Sequence, residues 1–166
     1  MRLIILMGFI LWCFQGLSQD WTDKTRVLPD DLRKVPVAIY IMHGPNPNYP
    51  ELTKEDDRKG FKYVWRHSTT VYSPNMELEV IEAGSYIWFS ENGWMKNVTY
   101  KKREFAKHFK CQRGILKRGE HYTFQENYRW GNDLYGGDAL WYVLAKTKDG
   151  TIYKGIGLLE TEAEVQ

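Results

Sequence analysis

The stretch 139-ALWYVLAKTKDGTIYKGIGLLE-160 decides the fold. Two apolar runs flank Lys148-Asp149-Gly150, and Asp-Gly is a strong hairpin signal because both residue types tolerate positive φ. The segment predicts one antiparallel pair over Ala139–Leu159. Working outward, the same punctuated pattern recurs. Val37–Met42 (VAIYIM) is a continuous apolar run of strand length, rich in β-branched residues. FKYVWRHS alternates Phe61, Tyr63 and Trp65 with Lys62 and Arg66. ELEVIEAG alternates Leu78 and Val80 with Glu77 and Glu79 and is expected to end at Gly84. SYIWFS is closed by Glu91-Asn92-Gly93, and Tyr122 and Phe124 alternate with Thr123 and Gln125. Short strands separated by turn signals predict an all-β domain. The first expectation is an antiparallel β-sandwich, immunoglobulin-like, and the alternative is a closed β-barrel.

Composition agrees. Aromatic residues make up 15% of the 166 residues, and rings suit a pleated surface. The length suffices for one domain with a real core. Its predicted limits are 36–162, after a polar lead-in over 19–35 with a turn at Pro29-Asp30-Asp31, and before a tail at 163–166. HGPNPNYPEL reads as a loop, since Gly44 and its prolines forbid regular structure. LTKEDDRKG predicts one or two helical turns, with Thr53 as cap, Asp56 at the capping-box position and Gly60 as stop.

The first 18 residues, MRLIILMGFILWCFQGLS, combine one Arg, an apolar run from Leu3 to Phe14 and small residues at Gly16 and Ser18. This is the pattern of a secretory signal peptide, with a mature start at Gln19. The run is shorter than the ~20 residues that span a bilayer, so no stable membrane insertion is expected after cleavage. The predicted location is secreted or periplasmic. Cleavage removes Cys13 and leaves Cys111 unpaired, with burial as the default state of a free thiol.

Charge is the second signal. Lys96–Arg118 (KNVTYKKREFAKHFKCQRGILKR) carries nine Lys or Arg against Glu104 alone, while the whole chain is only +2. A strand is expected from about residue 97, giving way near Phe105 to an irregular or short helical crossover. Lys101, Lys102, Arg103, Lys107 and Lys110 are the candidate anion-facing patch. For an exported protein the matching partners are an acidic glycan or another envelope polyanion rather than nucleic acid. The competing reading is a solvated edge whose lysines block strand-to-strand aggregation.

Other chemistry is weakly written. Only His108-x-x-Cys111 has metal-ligand spacing, and the paired ligands of a structural zinc site are missing. The order of a strand, EAGSYIWFS, a loop and LKRGEHYTF within Leu78–Phe124 resembles a cupredoxin β-pattern. A blue-copper site needs two His, one Cys and usually Met, with Cys, His and Met crowded on one late loop. Here His121 follows Cys111 by ten residues and no Met follows Met95. The resemblance therefore implies a cupredoxin-like sandwich without metal, and no cofactor is implied. Cys111 with His108 or His121 forms the enzyme alternative, a thiol-dependent enzyme or small secreted hydrolase. Glu77, Glu79, Glu82 and Glu91 are the candidate carboxylates for the hydrolase. Asn132, Asp133 and Asp138 read as an Asx-rich turn before a calcium site. Asn97-Val98-Thr99 fits the glycosylation pattern. The reading is a non-catalytic exported binding or accessory β-domain. Intact mass of the exported protein checks its first step: the chain begins at Gln19, and a mass retaining Met1–Ser18 refutes cleavage.

Overall fold

A computed structural model describes residues 26–165. The expected signal peptide over 1–18, with Cys13, lies outside the described residues. In chain order the elements are α1 (Asp30–Arg33), β1 (Val37–Gly44), β2 (Pro50–Leu52), β3 (Tyr63–Trp65), β4 (Ser68–Tyr72), β5 (Leu78–Phe89), β6 (Gly93–Lys101), α2 (Lys102–His108), an irregular turn at Gln112–Gly114, β7 (Ile115–Leu116), β8 (His121–Phe124), β9 (Arg129–Gly131), β10 (Gly137–Lys146) and β11 (Ile152–Thr161).

The protein is mostly β, in two sheets that do not close into a barrel. The larger sheet has the order β6-β5-β10-β11-β1-β4-β8, with β7 added on β5; the smaller is β2-β3-β9. The barrel alternative is therefore corrected. The strand path starts at β6 and stops at β8, and His108 and Phe109 of the α2 segment pack against Phe124 of β8. The strands divide eight against three and include one parallel pair, β1 with β11. An immunoglobulin sandwich instead divides about four against three and is wholly antiparallel.

The expected hairpin of β10 and β11 forms, paired from Gly137↔Thr161 to Lys146↔Ile152. Its turn differs in detail. Gly150 alone takes positive φ, at 91°. Its N–H donates to the Thr147 carbonyl at 3.1 Å, and Thr147 and Thr151 close the loop. Asp149 contributes through its carboxylate, which accepts from the Thr147 hydroxyl and the Thr151 N–H. This is a three-residue loop with glycine in the left-handed position.

Two further expectations fail for physical reasons. Gly84 does not end a strand; it lies inside the 12-residue β5. A Cβ there would sit 2.1 Å from the Val98 carbonyl and 3.0 Å from the Tyr142 ring, so glycine permits close packing in mid-strand. Residues 53–60 form turns, not a helix. The Thr53 hydroxyl donates to the Phe61 carbonyl at 2.7 Å, so it is not spent on capping. Asp57 takes the Lys54 N–H at 2.7 Å and pairs with Arg66.

Strand β10 is buried on both faces. On one, Val143 and Ala145 join Ile39, Val71, Val80 and Ala83 beneath Phe105, Phe109 and Cys111 of the α2 segment. On the other, Leu140 and Tyr142 pack with Tyr86 and with Leu32 of α1. The lead-in is thus partly structural: Leu32 is fully buried, and the buried Lys154 amino group donates to its carbonyl at 2.6 Å. A bulge at Ile81 shifts β5 by one residue, which puts Val80 and Ala83 on the same face.

The parallel β1–β11 contact depends on two glycines. A Cβ on Gly155 would stand 2.8 Å from Ile39 Cβ, and one on Gly157 would stand 2.9 Å from Ile41 Cβ and 2.9 Å from its carbonyl. Gly155→Ala is expected to lower the unfolding free energy by about 1–3 kcal/mol, the usual cost of overpacking. Gly44→Ala, where the nearest atom is at 3.8 Å, should be close to neutral. Urea melts of the two variants distinguish them, and equal stability would show that β1 can move away from β11.

Candidate functional site

The basic run divides into paired and unpaired cations. Lys101 ends β6 and precedes α2; its N–H donates to Glu104 Oε2 at 2.9 Å, closing the first turn. Its ammonium meets Glu82 at 3.0 Å, and Lys102 meets Glu79 at 2.6 Å. Arg103 and Lys107 lie one helical turn apart on the exposed side of α2, while Phe105 and Phe109, with the same spacing, turn inward and stack at 4.3 Å. Lys110 follows in the left-handed conformation at φ 52°. Cys111 N–H then donates to the Ala106 carbonyl at 3.0 Å, the six-to-one bond of a Schellman stop. Arg113, at φ 58°, is a second left-handed cation. It lines both a shallow depression with Lys102 and Arg103 and a neighbouring one with Lys110 and Lys117. Among the described residues, Arg103, Lys107, Lys110 and Arg113 have no acidic partner within ion-pair distance.

The groups offered for catalysis are committed elsewhere. Cys111 is fully buried and its thiol donates to the Ile115 carbonyl at 3.2 Å. Burial pushes the thiol up to about 11, which leaves almost no thiolate near neutrality. His108 packs between Tyr100 at 4.9 Å and Phe124 at 4.6 Å, and His121 stacks on Tyr72 at 4.5 Å. Neither histidine makes a hydrogen bond to the thiol. For Glu82, burial raises the carboxyl pKa, but bonds from Tyr142, Lys101 and Lys96 outweigh it and bring it to about 2. A general acid needs the opposite shift. Asn132 accepts from the Lys62 N–H at 3.0 Å, and Asp138 pairs with Arg26, so the Asx-rich turn has structural partners. Among the described residues no group of three or more His, Cys, Asp or Glu is placed to hold a metal ion, and no helix is long and apolar enough to cross a membrane.

A further concave feature among the described residues was not expected from the sequence. A cleft of about 410 Å³ opens between the two sheets. Ser85 (β5), Val98 and Tyr100 (β6) and Trp141 (β10) form one wall; Asn127, Arg129 (β9), Tyr135 and His67 face them. Its floor is organised by a buried polar chain. Asn127 donates to Thr69 Oγ1 at 2.8 Å, the same oxygen meets His43 Nδ1 at 2.9 Å, and Asn48 meets His67 Nδ1 at 3.1 Å. The other ring nitrogen, Nε2, of both His43 and His67 is buried without a partner. The two rings lie 6.2 Å apart. A bulge in β6 at Asn97 turns that side chain into the cleft, where it donates to Ser85 Oγ at 3.2 Å.

No family model matches the chain, and no curated protein matches it. The geometry must carry the functional reading. The cleft escaped sequence reading because its residues are drawn from positions 67 to 161 on strands that pair at long range. The only local signals were His67 and Arg129 within otherwise alternating segments.

Burial holds His43 down to about 3, with the neighbouring His67 adding to the effect, and burial holds His67 down to about 4. Both rings are neutral in the fold and protonate near 6.5 once unfolded. Their contribution to stability is complete above pH 6.5 and is lost as pH falls toward 3. Between pH 6 and 5 the unfolding free energy should fall by up to about 1.4 kcal/mol per pH unit for each histidine. His67→Gln should remove roughly one proton's worth of that slope. A flat profile over this range would mean that the rings are hydrated.

Proposed function

We propose that the chain is an exported, non-catalytic binding domain, sandwich-like in outline, whose α2 face recognises an acidic glycan or a comparable envelope polyanion. One observation carries this reading: Arg103, Lys107, Lys110 and Arg113 stand on one face, exposed and without acidic partners among the described residues. Lys101 and Lys102, by contrast, are neutralised by Glu82 and Glu79. The original patch of Lys101, Lys102, Arg103, Lys107 and Lys110 is therefore redrawn, with Arg113 added and the two paired lysines secondary. Clustered like charge raises the local concentration of a polyanion and makes its capture salt-dependent. The sandwich outline is supported by the cleft that both sheets line. The thiol-enzyme and hydrolase alternative is disfavoured by the raised pKa of Cys111 and the lowered pKa of Glu82.

Heparin serves as a surrogate ligand. The wild-type domain should be retained at low salt and released as salt rises. Arg103→Ser combined with Lys107→Ser and Arg113→Asn should elute clearly earlier with its circular dichroism unchanged; Asn is chosen because it tolerates the left-handed backbone. Lys101→Ser with Lys102→Ser should shift elution less. Passage of the wild type in the low-salt wash refutes the reading.

A further inference from the structure

We infer that the inter-sheet cleft is a second binding site, for a sugar acid: a singly charged carboxylate on a polyhydroxylated ring. This inference is independent of the α2 face. Three observations on different elements converge. The first is charge. Arg129 lines the cleft, and among the described residues no carboxylate pairs with it. Its guanidinium lies 3.8 Å from the centre of the Tyr135 ring, and one nitrogen donates to Thr161 Oγ1 at 3.1 Å. No Asp, Glu or Lys lines the cleft. A half-buried guanidinium with spare donors and no counter-ion is incomplete unless an anion from outside supplies one. A single cation matches a single negative charge better than a doubly charged phosphate.

The second observation is the unpartnered nitrogen. His67 is 5% exposed and lines the cleft, and its Nε2 has no hydrogen-bond partner. Its other nitrogen is occupied by Asn48. An unpaired buried polar atom is destabilising, so a ligand hydroxyl reaching it would recover that cost. The third observation is the lining itself. Trp141, Tyr100 and Tyr135 present rings, while Ser85, Asn97 and Asn127 present hydroxyl and amide groups. Alternating ring faces and hydrogen-bonding groups suit a pyranose, whose faces are apolar and whose edges are hydroxylated. A wholly apolar carboxylate would leave the amides and hydroxyls unpaired. The volume, about 410 Å³, is at the small end of ligand sites.

Sodium glucuronate, methyl glucoside and sodium benzoate are the probes, titrated into the whole domain and followed by the indole N–H resonances. Glucuronate should bind at least about tenfold more tightly than either of the other two, since each lacks one half of the match. Arg129→Gln should abolish the preference for glucuronate over methyl glucoside. Because Arg129 also packs between aromatic rings, Asn97→Asp provides an independent variant: it places a negative charge at the exposed rim and should weaken glucuronate about tenfold more than it weakens methyl glucoside. The variant lacking Arg103, Lys107 and Arg113 should bind glucuronate as the wild type does. Equal binding of glucuronate and methyl glucoside, no binding of glucuronate, indifference to Asn97→Asp, or loss of glucuronate with the α2 variant would each overturn the assignment.

Discussion

Strand β10 has no solvent face between Ala139 and Val143, and the rest of the molecule is arranged to cover it. A strand apolar on both sides needs two covers as well as two neighbours. The neighbours are β5 and β11. One cover is α1, which inserts Leu32 beside Leu140 and Tyr142. The other is split. At one end Phe105, Phe109 and Cys111 close over Val143 and Ala145. At the other end Trp141 and Ala139 are only roofed by the smaller sheet, and the incomplete roof is the cleft. Each of the large side chains in α2 contributes about 1.5–3 kcal/mol by burial, enough to hold a helix of seven residues that would not persist alone.

That division explains the position of the charge. Because Phe105 and Phe109 point down into the core, helical geometry turns Arg103 and Lys107 outward. The Schellman stop then places Lys110 in the left-handed region and returns Cys111 to the core. Cys111 is therefore a packing residue, and burying the apolar helix face concentrates the cations on the opposite, outward side. Tyr100 links the two candidate sites: its ring touches His108 of α2 and also forms part of the cleft wall.

Local pattern made some of this legible in the sequence. The β10–β11 pair, the run of β1 and a strand giving way to a short helical crossover, expected near Phe105 and found from Lys102, follow from periodicity and turn chemistry, which act over a few residues. The failures share a different cause. Gly84 was read as a stop because nothing nearby reveals that the Val98 carbonyl crosses it. The capping pattern at Thr53 was overridden by bonds from Thr53 to Phe61 and from Asp57 to Arg66. The basic run was visible as composition, but its separation into paired and unpaired cations depends on Glu79 and Glu82 on the neighbouring strand β5, about twenty residues away in sequence. The cleft was invisible for the same reason, since long-range pairing assembles it.

The central claim is that the outward side of α2 is an anion-recognition surface. Backbone amide shifts recorded during titration with a short sulfated oligosaccharide test it most directly. The account predicts that the largest changes fall on Arg103, Lys107, Lys110 and Arg113, diminish as salt is raised, and leave the amides of β8 and of the β10–β11 turn unmoved. Changes spread evenly over all exposed lysines, including Lys148 and Lys59, would contradict it.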